Sequence, residues 1–537
     1  MKLLRIFRCA YAKAALENNR RVPIVVGQAE VVNETLCVEP TGASRSALLT
    51  QAALIGFGML LMVLQILKAW SDAPGTARGT QVAQDFKAFY CAGATSNAGA
   101  DPYLEIPFQR CGAARRMSPP SFARAGVNPA PFPPYDIPLF KAFALLPYRL
   151  AAELWLALSC VATLFVVFAI AKVARLPALL VFVALALPLF LTSASLGQLP
   201  PIVAASLCVA VLAIRCERFA VVGTACTASL LEPHLGLPAW LAVALCIPKA
   251  RIALFATTAI LGLVGVAAVG FPTNIAYLST ILPLEAASNI VDAGQYSLTW
   301  LLYTAGISAN IALIAGSMSY IVMTALGVLI SRAAVERTGA KELYILIPVA
   351  ASLLGGPHLH ITQLALALPC ALVLVQYVGG ASRRVLWLAI VVLSVIWWTQ
   401  TWEVHPWSTA RLESIFIAGI LVFTVVRASN IRHRVHNMLL VVSAYVAITM
   451  AVLATPELAL RPAESAAVFA GQIGSGAQYT TGRMGIEERQ GNLTGSASSL
   501  RALVYKLPTW LALVIVLGVL GAWLRSRRTT GPTIIAS

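Results

Sequence analysis

Charge is what this sequence has least of. Only 11% of its 537 residues are Asp, Glu, Lys or Arg, against about 25% in a typical soluble domain. With 59% hydrophobic residues and a mean hydropathy of +0.80, that scarcity excludes a water-soluble fold. No polar stretch is both long and patterned enough to build a separate core. Aspartate is the scarcest acid: Asp72, Asp85, Asp101, Asp136 and Asp292 are the full set. No apolar run carries a chain of buried acids like those of proton pumps. No internal repeat is visible, which counts against an inverted-repeat transporter. A cleavable leader is not expected either, because the first apolar run starts far in and no small-residue cleavage site follows it.

Long apolar runs are abundant. Spans are expected near 47–68, 148–171, 177–193, 199–214, 219–232, 234–248, 252–270, 309–331, 342–355, 361–379, 385–400, 413–427, 437–455 and 507–524. Each full-length span needs about 20 apolar residues to cross about 30 Å of hydrocarbon. Several are short, and 219–248 reads as two half-buried pieces. The expectation is an all-α integral membrane bundle of about 12 to 14 segments. It comprises an N-terminal tail (1–46), a polytopic domain (47–528) and a C-terminal tail (529–537).

The net charge of +17 resembles a nucleic-acid signal until its distribution is examined. With the N-terminus inside, the inner segments hold 24 Lys/Arg and 7 Asp/Glu, and the outer segments 15 of each. Every inner turn carries cations, among them Lys172, Arg215, Lys249, Arg332, Arg383, Arg432 and Arg527. This positive-inside pattern sets an orientation with both termini cytoplasmic, and it favours contact with anionic inner-leaflet lipid. A nucleic-acid partner would need basic residues clustered on a folded soluble unit, and there is none.

Outer segments are expected at 69–147, 271–308, 400–412 and 456–506. They hold all five aspartates and His405, and His234, His358 and His360 fall at the outer ends of spans, so titratable chemistry belongs to that side. Most of the ten cysteines fall in apolar spans, where they read as small core residues. Cys91 and Cys111 are the two in outer segments, and an oxidising compartment would let them pair. Trp397, Trp398, Trp402 and Trp407 sit near Glu403 and His405 at an outer boundary. They read as an interfacial belt or as stacking surfaces for a ring or chain. Asn492-Leu493-Thr494 matches a glycosylation sequon, relevant only to a eukaryotic secretory context.

Asp85 lies in Asp85-Phe86-Lys87-Ala88-Phe89-Tyr90-Cys91-Ala92-Gly93, followed by Asp101-Pro102-Tyr103. A carboxylate ringed by aromatics just after the first span suits a general base for an acceptor hydroxyl. It equally suits a helix cap at the interface. His358 and His360 follow Gly355-Gly356-Pro357. On irregular backbone they could share a site for phosphate contact or proton relay; on a helix they would not share a face.

Asp85-Phe86-x-x-Phe89-Tyr90-x-Ala92-Gly93 with Pro102-Tyr103 resembles the first-loop motif of glycosyltransferase family 87. Further pieces are similar in order: Phe132-Pro133-Pro134-Tyr135, Leu146-Pro147 through Trp155, Gly197-Gln198, Leu231-Glu232-Pro233-His234-Leu235-Gly236, Gln295-Tyr296-Ser297-Leu298 and Pro357-His358-Leu359-His360. The resemblance covers roughly 80–430.

It implies a GT-C fold and inverting transfer of mannose or another hexose from a polyprenyl-phosphate donor to a lipid or glycan acceptor. The active site would face the periplasmic side of a bacterial inner membrane. Asp85 would be the base. His234, His358, His360 and Arg411 are the candidates for the donor phosphate, and Tyr90, Asp101, Tyr103, Gln198 and Gln295 for the acceptor and sugar. No cofactor or metal is implied, and no Asp-x-Asp occurs. One position departs from the family: Glu232 stands where a lysine is usual, and a carboxylate there would repel the leaving phosphate. The rival readings are a transporter or lipid-linked-sugar flippase, and a non-catalytic member of the family.

Overall fold

The computed structural model describes residues 45–71, 83–114, 132–291, 294–394, 479 and 500–526. The chain divides into two units after Ala53. Of the first unit only residues 45–53 are described, as the start of a helix; the other described residues all belong to the second unit. Among the described residues the regular structure is helical, with no strand. Strand-like pairing is confined to two isolated bridges, Leu104 with Tyr479 and Gln295 with His360.

Helix α1 is Arg45–Ser71, α2 Gln84–Asn97, α3 Glu105–Ala114, α4 Ile137–Phe143 and α5 Tyr148–Ala174. Then come α6 Ala178–Leu185, α7 Thr192–Leu196, α8 Pro200–Arg215, α9 Phe219–Ala228, α10 Pro233–Cys246 and α11 Arg251–Val269. The chain continues through α12 Phe271–Ala276, α13 Leu282–Ser288, α14 Leu298–Thr304, α15 Ala309–Thr338 and α16 Leu343–Ser352. The last three are α17 Ala367–Leu374, α18 Gly380–Ser394 and α19 Leu500–Ser526.

Among the described residues, five helices are long and apolar enough to cross a membrane: Leu49–Leu67, Tyr148–Ala174, Pro248–Val269, Ala309–Thr338 and Ala502–Ser526. Much of their surface is exposed leucine, isoleucine, valine and phenylalanine, as on Ile252, Leu263, Ile314 and Leu329. That pattern suits a hydrocarbon solvent rather than water.

Six shorter apolar helices fill the interior, and proline explains several of their lengths. The span expected at 177–193 is broken: Pro188 lies in a wide π-turn, Ala186–Leu191, between α6 and α7. Proline removes one backbone bond and clashes with the preceding turn, and a π-turn accommodates the defect. The span expected at 361–379 begins as a 3-10 turn, Ile361–Leu366, before α17. The pair expected over 219–248 is two half-length helices, α9 and α10, with Glu232 between them. The spans expected at 413–427 and 437–455 lie outside the described residues.

The outer segments are more helical than their composition suggests. Segment 69–147 contains α2, α3 and α4, and 271–308 contains α12, α13 and α14. Helix α19 begins at Leu500, inside the segment expected at 456–506. Its first turns therefore lie within that segment, and Lys506 is a helical residue.

The turns assigned inward by charge meet one another. Arg215 pairs with Glu342 at 3.4 Å and Lys341 with Glu217 at 2.7 Å. Arg337 donates to the Leu524 carbonyl, and Lys249 lies over the Phe219 ring at 5.3 Å. Threonines join α9, α10 and α11 nearby in the apolar interior: Thr257 donates to Thr227 at 2.9 Å and Trp240 to Thr258 at 2.9 Å. Interhelical hydrogen bonds of this kind stabilise helix contacts where burial alone supplies little drive.

Candidate functional site

The aromatic residues around Asp85 are anchors. Phe86 and Tyr90 are fully buried. The Phe86 ring stacks on Trp155 with centroids 5.4 Å apart, and Phe89 packs on Phe140 at 5.0 Å. Such ring pairs add about 0.5–1.5 kcal/mol beyond the area they bury. Gly93 lets α2 lie directly against α4, since a Cβ there would sit 2.1 Å from the Phe140 carbonyl oxygen. With one face of α2 fixed, Asp85 in its first turn is left half-buried.

Its partner is Gln198, whose Nε2 donates to Asp85 Oδ2 at 2.6 Å. The sequence element Gly197-Gln198 has a physical reason. Gly197 is left-handed at φ +79°, and a Cβ on it would lie 2.6 Å from that of Phe86. Trp155 Nε1 holds the Gly197 carbonyl at 2.9 Å. The turn is thereby pressed against α2 next to Asp85, within reach of Gln198.

Glu232 lies between α9 and α10 and meets Gln363. Gln363 Nε2 donates to Glu232 Oε1 at 3.3 Å, while Gln363 Oε1 accepts from the His360 N–H at 2.8 Å. That backbone bond fixes which end of the amide faces Glu232. Burial pushes the Glu232 carboxyl up to about 8; Gln363 and His360 oppose the rise, and the Asp85 charge adds to it. Glu232 is therefore mostly protonated at neutral pH.

A second glutamine organises the histidines. Residues 294–297 run beside 359–361, with Tyr296 N donating to the Leu359 carbonyl at 2.7 Å and Ile361 N to that of Gly294 at 3.1 Å. Gln295 Oε1 accepts from Leu359 N at 2.9 Å, so its Nε2 faces His358 Nδ1 at 2.8 Å. An amide nitrogen only donates, so His358 Nδ1 must accept. His358 is thus neutral, with its proton on Nε2. The His234 ring lies 6.0 Å from it, nearly perpendicular. The sequence reading of irregular backbone after Pro357 holds, and it brings His234, His358 and His360 together with Gln295.

Two residues on α19 were not singled out by the sequence. Lys506 is fully buried, donates to the Gln295 carbonyl at 2.6 Å and lies 3.4 Å from the Trp300 ring centroid. Trp510, one turn on, donates to the Tyr296 carbonyl at 2.8 Å. Gln363 was also missed. A lysine at a helix end and a glutamine in an apolar run carry no motif, and only tertiary contact identifies them.

The remaining candidates sit apart from this cluster. The Tyr90 hydroxyl donates to the Leu146 carbonyl at 2.8 Å, and that of Tyr103 to the Phe132 carbonyl at 2.9 Å. Both side chains are buried anchors. Asp101 Oδ1 accepts from Tyr103 N at 2.9 Å, and burial raises its carboxyl above the usual range. Cys91 and Cys111 form a disulfide, Cα atoms 5.5 Å apart, that ties α2 to α3. Arg411, with the 400–412 segment, His405 and the tryptophan cluster, lies outside the described residues.

No protein-family model, curated protein or solved structure matches this chain.

Proposed function

We propose that the chain is a membrane glycosyltransferase of the GT-C type. It moves mannose or another hexose from polyprenyl phosphate to a lipid or glycan acceptor, with inversion, on the outer face of a bacterial inner membrane. The observation that carries the reading is the Asp85–Gln198 hydrogen bond at 2.6 Å, made by two elements far apart in sequence. A glutamine held on one carboxylate oxygen fixes the orientation of the carboxylate.

As the acceptor oxygen attacks the anomeric carbon, Asp85 takes its proton and the bond to the phosphate oxygen breaks. Such base catalysis contributes about 10²–10⁴-fold. His358 Nε2–H and protonated Glu232 are donors that complement charge developing on the leaving phosphate. Neutral donors in a desolvated site do this without the cost of burying a full cation.

The test is transfer from a panel of radiolabelled polyprenyl-phosphate sugars to native membrane lipid, comparing wild type with Asp85→Asn. Loss of transfer in a correctly inserted variant supports both enzyme and base. Survival of transfer removes Asp85 from the chemistry. No transfer from any donor by the wild type rejects the transferase in favour of a flippase or a non-catalytic role.

A further inference from the structure

Residues 252–284 hold no Asp, Glu, Lys, Arg or His, and the run is bounded by Arg251 and Glu285. It is too long for one span, which needs about 20 apolar residues. The fold uses it in two pieces. The helix Pro248–Val269, of 22 residues, covers about 33 Å at the helical rise and completes a crossing by itself. A second helical stretch follows: α12, a π-turn over Tyr277–Ile281, and α13 to Ser288.

The second piece does not continue the first. Gly270, at φ +82° and ψ 160°, breaks the helix between them. Asn274 then reaches back, its Nδ2 donating to the Gly270 carbonyl at 2.8 Å and to the Gly265 carbonyl at 3.0 Å. In an unbroken helix residues 265 and 274 would lie about 13.5 Å apart along the axis. The chain therefore turns sharply, and a side chain of α12 holds the turn. It lies at the end of the span remote from Lys249 and Arg251.

The two faces of the stretch differ. Tyr277 and Ile281 are at most 5% exposed and pack with Tyr103. The rings of Tyr277 and Tyr103 have centroids 5.7 Å apart. Phe271, Ile275, Leu278 and Leu282 are 45–64% exposed, at spacings that put them along one side of a helix. Pro272, Ser279 and Pro283 are exposed beside them. The Ser279 hydroxyl donates to the Ile275 carbonyl at 2.9 Å, so this polar side chain is satisfied within the helix.

The apolar side begins just past the last turns of α11, where exposed Ile260, Leu263 and Val266 suit hydrocarbon. An uncharged stripe that starts where a membrane-crossing helix ends is covered by the same solvent. An outer loop that faces water would carry charge, as this segment does from Glu285 onward. Without Lys or Arg the stretch gains nothing from anionic headgroups, so its insertion rests on apolar area.

We propose that residues 271–288 lie in the plane of the membrane surface remote from Lys249 and Arg251, with Phe271, Ile275, Leu278 and Leu282 inserted among lipid acyl chains. The partner is the lipid bilayer itself. Through Tyr277 and Ile281 the same stretch holds Tyr103 at headgroup depth. This placement does not depend on sugar transfer.

The test is depth-resolved quenching on the full chain in phosphatidylethanolamine–phosphatidylglycerol nanodiscs. An environment-sensitive fluorescent amino acid replaces Leu278 in one variant and Ile260, in the middle of the span, in another. The nanodiscs hold lipid with a spin label on its acyl chain, either near the headgroup or near the chain end. The Leu278 probe should lose more fluorescence to the shallow label than to the deep one, and the Ile260 probe the reverse. Aqueous iodide should leave both nearly unchanged. Should the Leu278 variant fail to insert, Leu282 takes the probe with the same expectation. Iodide quenching without lipid quenching places the stripe in water and overturns the proposal. Protection from both quenchers means that protein, such as a second copy of the chain, covers the stripe, and overturns it as well. Stronger quenching of the Leu278 probe by the deep label shows a stretch that enters the bilayer core, which also overturns it.

Discussion

The ammonium of Lys506 donates to the carbonyl of Gln295 at 2.6 Å while sitting on the face of Trp300. The same glutamine uses its side chain to fix His358. One residue thus couples the C-terminal helix to the histidines.

Replacing Lys506 with Met tests that coupling. The Gln295 carbonyl loses a charged donor, a bond of about 1.5–3 kcal/mol, and the contact with Trp300 is lost as well. Relief of the buried charge opposes this. The expected balance is a lower thermal midpoint for Lys506→Met in nanodiscs. A midpoint equal to or above wild type means that desolvation wins.

Gly197→Ala should be among the most damaging single-atom additions. It forces a left-handed φ on a residue with a Cβ, about 1–2 kcal/mol, and drives that Cβ into Phe86. The expected outcome is a loss of at least about 2 kcal/mol, with overpacking included. Transfer should fall as Gln198 is displaced from Asp85. A variant with wild-type stability and rate would show that this turn does not set the Asp85 geometry.

The pH dependence has a definite sign. Burial raises the Glu232 carboxyl to about 8 from 4.5, and raises those of Asp136 and Asp101 as well. The folded state therefore holds more protons than the unfolded state above about pH 4, and stability must fall as pH rises. For Glu232 the fall runs from about 4.5 to about 8 and then levels. Thermal midpoints of wild type and Glu232→Gln between pH 5 and 9 check this. The variant should show a flatter profile and a higher midpoint at pH 8. Parallel profiles would remove Glu232 as the cause.

His358 should keep its proton on Nε2, because Nδ1 faces the Gln295 amide. Ring-labelled histidine observed by NMR should report the Nε2–H tautomer near neutral pH. In Gln295→Glu the new carboxylate should favour the imidazolium. An imidazolium signal at pH 7 in the wild type would contradict the hydrogen-bond assignment.

The disulfide closes a short loop, Cys91 to Cys111, with a sequence separation of 20. Chain entropy alone assigns such a loop about 3 kcal/mol. Reduction, or Cys111→Ser, should lower the midpoint and free α3 to proteolysis before the rest of the fold. A midpoint unmoved by reductant would show that α3 is held by packing.

Much of the fold and site was legible in the sequence, for reasons that can be named. Gly197-Gln198 stood out only by its likeness to a family element, and the left-handed turn pressed on Phe86 is what the fold adds. Asp85 stood out as a carboxylate ringed by aromatics just after the first span, and the fold shows those aromatics to be buried anchors. Glu232, His234, His358 and His360 were visible as polar residues at the ends of apolar runs. Lys506 was not, because a cation at a span boundary is usually an interfacial anchor, and only the fold reveals Trp300 beneath it. The helix boundaries erred where proline forced π- or 3-10 turns at Pro188 and before Ala367, which hydropathy does not register.

The bridge between residues 294–297 and 359–361 is held from the side by Lys506 and Trp510, which lie on the final described helix. In a chain made from N- to C-terminus, every earlier span is synthesised before those two residues exist. The histidine wall then cannot take its final shape until that helix has been made. A ribosome-bound nascent chain that stops short of it would hold His358 and Gln295 without the two side chains that brace them.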